Sequence, residues 1–99
     1  MSNYLFAYRG GGMAQTDAER EAAMGAWGAW FGGLGDAIVD PGNPFGPSKS
    51  VGDGSTATAL TGYSVIKADS LDAAAGLAGG CPVLAQGGSV DVYETVPVM

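Results

Sequence analysis

Apolar residues in this chain repeat with a period of two or of about 3.6, and the order of those blocks constrains the fold more than any single motif. "NYLFAYR" (3–9) alternates, with Tyr4, Phe6 and Tyr8 on one side and Leu5, Ala7 and Arg9 on the other. This predicts a strand, ended by Gly10-Gly11-Gly12. "TDAE" (16–19) has the spacing of a capping box, in which the Thr16 hydroxyl accepts from the Glu19 amide. Ala23, Trp27, Trp30 and Leu34 then recur at helical spacing, with Met24 and Phe31 alongside and Gly35 as the C-cap. Gly25, Gly28 and Gly32 interrupt this helix, and their clustering predicts a face that another backbone approaches closely.

"DAIVD" (36–40) reads as a second strand ended by Pro41-Gly42, and "TGYSVIKA" (61–68) as a third. "DSLDAAAGLAGG" (69–80) predicts a short helix capped by Asp69 or Ser70, with Leu71, Ala74, Ala75 and Ala78 as its buried stripe. "SVDVYETVPV" (89–98) alternates Val90, Val92 and Val96 against Asp91, Tyr93 and Thr95, and Pro97 places its end on an edge. The order β-α-β-β-α-β predicts an α+β, ferredoxin-like chain forming one domain over residues 1–99. Its four-stranded antiparallel sheet has strand order 4-1-3-2, with two helices on one face. Asp53-Gly54 has the chemistry of a two-residue turn and predicts an extra hairpin between strands two and three, with Pro41 to Pro47 stiffening its approach.

Two helices cover one sheet face, yet both sides of the strands carry large apolar groups. A second apolar face marks an interface or a pocket, so the chain is expected to form a homodimer by packing sheets face to face.

Several function classes are excluded. A net charge of −6 with only four basic residues opposes nucleic-acid binding, which needs clustered Lys and Arg. Without histidine there is no imidazole base, triad or metal ligand, and no cofactor or metal site is expected. No basic amphipathic segment or membrane-length apolar run is present, and the N-terminus lacks the pattern of a signal peptide. The lone Cys81 cannot form an internal disulfide, which fits a cytoplasmic location. "PGNPFGPSKS" (41–50) resembles a phosphate loop only superficially. Gly46 is separated from Lys49, and Pro41, Pro44 and Pro47 remove three N–H donors. "YRGGGMAQ" (8–15) lacks the third glycine of a dinucleotide fingerprint and reads as a plain strand-to-helix connection.

The candidate site lies at one rim of the expected sheet, where Arg9, Asp40, Tyr63 and Asn43 gather. Arg9 and Asp40 form either a surface ion pair or a working site, with Arg9 binding a carboxylate and Asp40 serving as acid or base. Asp36, at the opposite end of the second strand, is the alternative carboxylate. Trp27 and Trp30 belong to the core unless a cavity opens beneath the first helix, in which case an indole forms its wall. Tyr4, Tyr8 and Tyr63 would then supply phenolic hydroxyls. Cys81, with no nearby cation in sequence, reads as a packed small residue.

"GAWGAWFGGLGDAIVDPGNPFG", "TGYSVIKADSLDAAAGLAGGCP" and "GGSVDVYETVPV" together resemble the YCII-related domain family, in the branch called the DGPF domain. The resemblance runs from Tyr4 to Val98 and implies a dimeric α+β barrel, in a superfamily that includes enzymes similar to muconolactone isomerases and dehydrochlorinases. Some members carry a His in the first helix and an Asp, together proposed as a catalytic pair. Here the first-helix region, Met24 to Trp27, has no His. Two functions stand open: a homodimeric small-molecule-binding protein without chemistry of its own, or a lyase or isomerase on a small cyclic or aromatic acid.

Overall fold

The computed structural model describes residues 2–10, 16–49, 51–52 and 60–97. Within them run β1 (Ser2–Arg9), α1 (Asp17–Leu34), a 3-10 turn (Gly35–Ala37), β2 (Ile38–Asp40), β3 (Leu60–Ala68), α2 (Leu71–Ala78), α3 (Pro82–Ala85) and β4 (Ser89–Glu94). The strands form one sheet in the order β2-β3-β1-β4, and every neighbouring pair is antiparallel. The fold is α+β, with a four-stranded antiparallel sheet and three helices among the described residues.

Local chemistry accounts for the element ends. The Thr16 hydroxyl accepts from the Glu19 amide at 3.1 Å and starts α1, and the Ser70 hydroxyl accepts from Ala73 at 3.0 Å and starts α2. Gly35 ends α1 with a φ of +54°, a conformation that glycine adopts at no steric cost. Pro82 takes the first position of α3, where its missing N–H would have been unpaired anyway.

Register sorts the strand side chains into two populations. Tyr8 lies opposite Gly62 and Val90, and Phe6 opposite Ser64 and Val92. These residues, with Tyr4 and Ile66, face the helices. Ala74 and Ala78 of α2, Val83 of α3 and the thiol of Cys81 pack into the same core, with Trp27, Trp30, Leu34 and Leu77 bordering it. Phe6, Ile66 and Ser64 are completely buried. The Trp30 indole N–H donates to the Leu77 carbonyl at 3.1 Å and ties α1 to α2. The other population (Leu5, Ala7 and Arg9 beside Tyr63, Val65, Asp91 and Tyr93) lies on the face the helices do not cover, where only the small Ala7 is buried.

Four details differ from the sequence reading. Gly25, Gly28 and Gly32 line no close approach, since a Cβ at any of them would meet nothing within 4 Å. Glycine has no side chain whose hydropathy shows which way it points, and these face solvent. The buried stripe of α2 is Ala74 and Ala78, whereas Leu71 is 49% exposed and Ala75 is also exposed. Asp36 belongs to the 3-10 turn and precedes a β2 of only three residues. A third helix, α3, follows Cys81. The proposed hairpin turn at Asp53-Gly54 lies outside the described residues, as does the 11–15 connection.

Candidate functional site

No residue of α1 is buried to core level, although the helix is 18 residues long. Trp27, Trp30 and Leu34 pack against the core, and a cleft of about 550 Å³ lies beside Trp27 between the helix and the sheet. The α1 side of the cleft is a helical stripe: Arg20, Ala23, Met24, Trp27 and Phe31. Trp27 meets Tyr8 edge-on with ring centres 5.1 Å apart, and Phe31 lies 5.9 Å from Trp27. The floor is Tyr8, Gly62 and Ser64, and Val83 and Gln86 close the α3 side.

The far wall is built by residues 41–44. Two glycines make this possible. Gly42 has a φ of +76°, and a Cβ there would fall 1.8 Å from the Tyr63 carbonyl oxygen, so only glycine lets the chain pass so close to β3. Gly62 faces the same segment, with the Asn43 carbonyl oxygen 3.2 Å from where its Cβ would be. The chain does not turn away after β2. Pro44 bridges to Gly62, the Phe45 N–H donates to Thr61 at 2.9 Å, and the Tyr63 N–H donates to Asn43 at 3.4 Å. The proline-rich segment thus continues the sheet edge along β3.

A buried hydrogen-bond chain fastens this wall to the floor. The Tyr8 hydroxyl donates to Ser64 Oγ at 2.7 Å, and Ser64 donates in turn to the Pro41 carbonyl at 2.7 Å. Burial pushes the Tyr8 phenol up to about 12, outweighing the Ser64 hydrogen bond, which acts the other way. Tyr8 is therefore a neutral hydrogen-bond donor at physiological pH. Burial also raises the Cys81 thiol, to about 11, and leaves it a packed, protonated group.

The structure separates the residues that sequence had gathered at one rim. Tyr8, Trp27 and Asn43 line the cleft. Arg9 lies on the opposite face of the sheet, where its Nε donates to Asp91 Oδ2 at 2.6 Å. Its expected partner, Asp40, stands two strands away on β2, so the ion pair is Arg9–Asp91. The Asp40 carboxylate accepts from the Gly42 N–H at 2.9 Å and from the Tyr63 hydroxyl at 3.3 Å, which makes it a brace for the 41–44 turn. Tyr63 also borders the cleft, but its ring stacks on Phe45 with centres 5.7 Å apart. Asp36 sits apart from all of these, in a shallow depression with Lys67 and Asp69. Tyr4 is core.

Sequence reasoning missed Arg20, Ser64 and Gln86. Arg20 was findable, because it lies three, four and seven residues before Ala23, Met24 and Trp27 on one helical stripe. Ser64 sits among apolar strand residues, and nothing in its spacing announces a partner at Pro41. Among the described residues, no three Cys, Asp or Glu side chains converge as a metal-holding group. Among the described residues, no helix is long and apolar enough to cross a membrane either. No protein-family model matches the chain, and no curated protein matches it.

Proposed function

We propose that the chain binds a small ring-bearing molecule in the cleft between α1 and the sheet, and that it works as a homodimer joined through the bare sheet face. The observation that carries the binding reading is the cleft itself. It is large enough for a small organic ligand, aromatic on one wall, and furnished with a few polar groups on the floor and far side. No Asp or Glu is among its described lining residues. Asp40 is occupied by Gly42 and Tyr63, and Tyr8 holds its proton. These features favour binding over acid–base catalysis as a lyase or isomerase.

The dimer reading rests on the uncovered face. The molecule is only 19 Å thick, the depth of one sheet and one helical layer. Tyr93 is 53% exposed there, beside half-buried Leu5 and Val65, and the Arg9–Asp91 pair neutralises itself. Face-to-face packing of two such sheets gives a ferredoxin-like dimeric α+β barrel, the assembly implied by the resemblance to YCII-related (DGPF) domains. Sedimentation at micromolar concentration is expected to show a dimer that Tyr93→Lys converts to monomer. A wild-type monomer would remove the dimer.

The two tryptophans give the cleft a direct test. With uncharged 2-naphthamide as probe, the Trp27 indole N–H resonance is expected to shift. That of Trp30, bonded to Leu77, should stay in place, and Ala23→Phe should abolish the Trp27 shift by filling the cleft. A Trp27 signal unmoved by millimolar probe would sink the binding reading.

A further inference from the structure

The charge pattern around the cleft narrows its ligand class, an inference that rests on the binding reading above. Of the described lining residues, only Arg20 carries a full charge at neutral pH. The chain as a whole is strongly acidic, with four basic residues, so a cation at the edge of an otherwise uncharged, aromatic cleft stands out against its surroundings. Arg9 is committed to Asp91 on the far side of the sheet, and Lys67 borders the depression that holds Asp36 and Asp69.

The position of Arg20 sets a length as well as a charge. It lies seven residues before Trp27 on the same stripe of α1, a rise of about 10 Å along the helix. A molecule with its ring against Trp27 and Phe31 would place an acidic group at Arg20 if it were about two fused rings long. The guanidinium is available for exchange. Its Nη1 lies 3.1 Å from Asp17 Oδ1, but the two side chains are 63% and 94% exposed, and such a pair holds weakly. A ligand carboxylate meeting two N–H groups at once would replace it with better geometry.

We propose that the cleft takes a ring-bearing carboxylate, its ring on the Trp27–Phe31 wall and its carboxylate on Arg20 in place of Asp17. Calorimetry with 2-naphthoate and its uncharged isostere 2-naphthamide tests this. Naphthoate is expected to bind about five- to ten-fold more tightly at low salt, with the gap closing at high ionic strength. Arg20→Gln should remove the gap between the two probes. Asp17→Asn should widen it, because the internal competitor is gone. If naphthamide binds and shifts Trp27 but naphthoate binds no better, the carboxylate assignment is wrong and the cleft reading stands. A preference that survives Arg20→Gln has the same meaning. If neither probe binds, both readings fall together.

Discussion

The two faces of this sheet are built from alternate residues of the same strands, and they have opposite fates. On the helix side, Phe6, Ile66 and Ser64 are fully buried, and even the single polar group among them is hydrogen-bonded at both ends of its chain. On the other side, Leu5 and Val65 are half-covered and Tyr93 stands in solvent. Tyr8 and Arg9 are adjacent in sequence, yet one forms the floor of the cleft and the other an ion pair on the opposite surface. In a strand, sequence adjacency means spatial separation by the thickness of the sheet. Candidate site residues must therefore be sorted by face before they are grouped by rim.

The contrast breaks or holds on measurement. The largest expected effect is Phe6→Ala, which should cost about 3–5 kcal/mol in urea unfolding because it opens a void in packed surroundings. Leu5→Ala, one residue away, should cost well under half as much in a monomeric preparation. Equal losses would mean that the second face is as tightly packed as the first.

The next largest is a pH effect confined to the helix side. Between pH 10 and 12 the unfolded chain releases the Tyr8 proton while the folded chain keeps it. The unfolded state then binds fewer protons, so stability falls as pH rises through that window. Cys81 acts in the same direction from pH 9 to 11. Unfolding midpoints should decline across pH 9–12. Tyr8→Phe is expected to flatten the upper part of that decline and Cys81→Ala the lower part; an unchanged slope in Tyr8→Phe would show that the phenol is not desolvated. The smallest effect is Gly28→Ala on the outer surface of α1. With open space where its Cβ would go, it should raise stability by about 0.5–1 kcal/mol, and a loss would reveal a neighbour on that surface.

Much of the fold was legible because alternation and helical spacing report burial directly. Tyr4, Phe6 and Tyr8 face inward as their pattern demands, and Thr16 and Ser70 cap the helices that follow them. The site was less legible, for physical reasons. Arg9 meets Asp91 rather than Asp40 because the choice depends on which strands flank β1 and on a diagonal in their register, and no local pattern encodes either. Gly25, Gly28 and Gly32 repeat at helical spacing but carry no polarity, so the period gives a stripe without a direction. The role of Ser64 needed Pro41 to arrive from 23 positions upstream. Gly42 was read only as part of a strand-ending turn, whereas the structure requires it for a backbone crossing.

The bridge between Pro44 and Gly62 also governs how this molecule can meet copies of itself. Its flanking hydrogen bonds, from Phe45 to Thr61 and from Tyr63 to Asn43, point inward toward β3. The groups of Pro44 itself point outward, and proline has no N–H to offer. A stray extended chain approaching this edge finds a missing donor where a further strand would need one. Sideways addition of a strand is disfavoured at this edge by its composition.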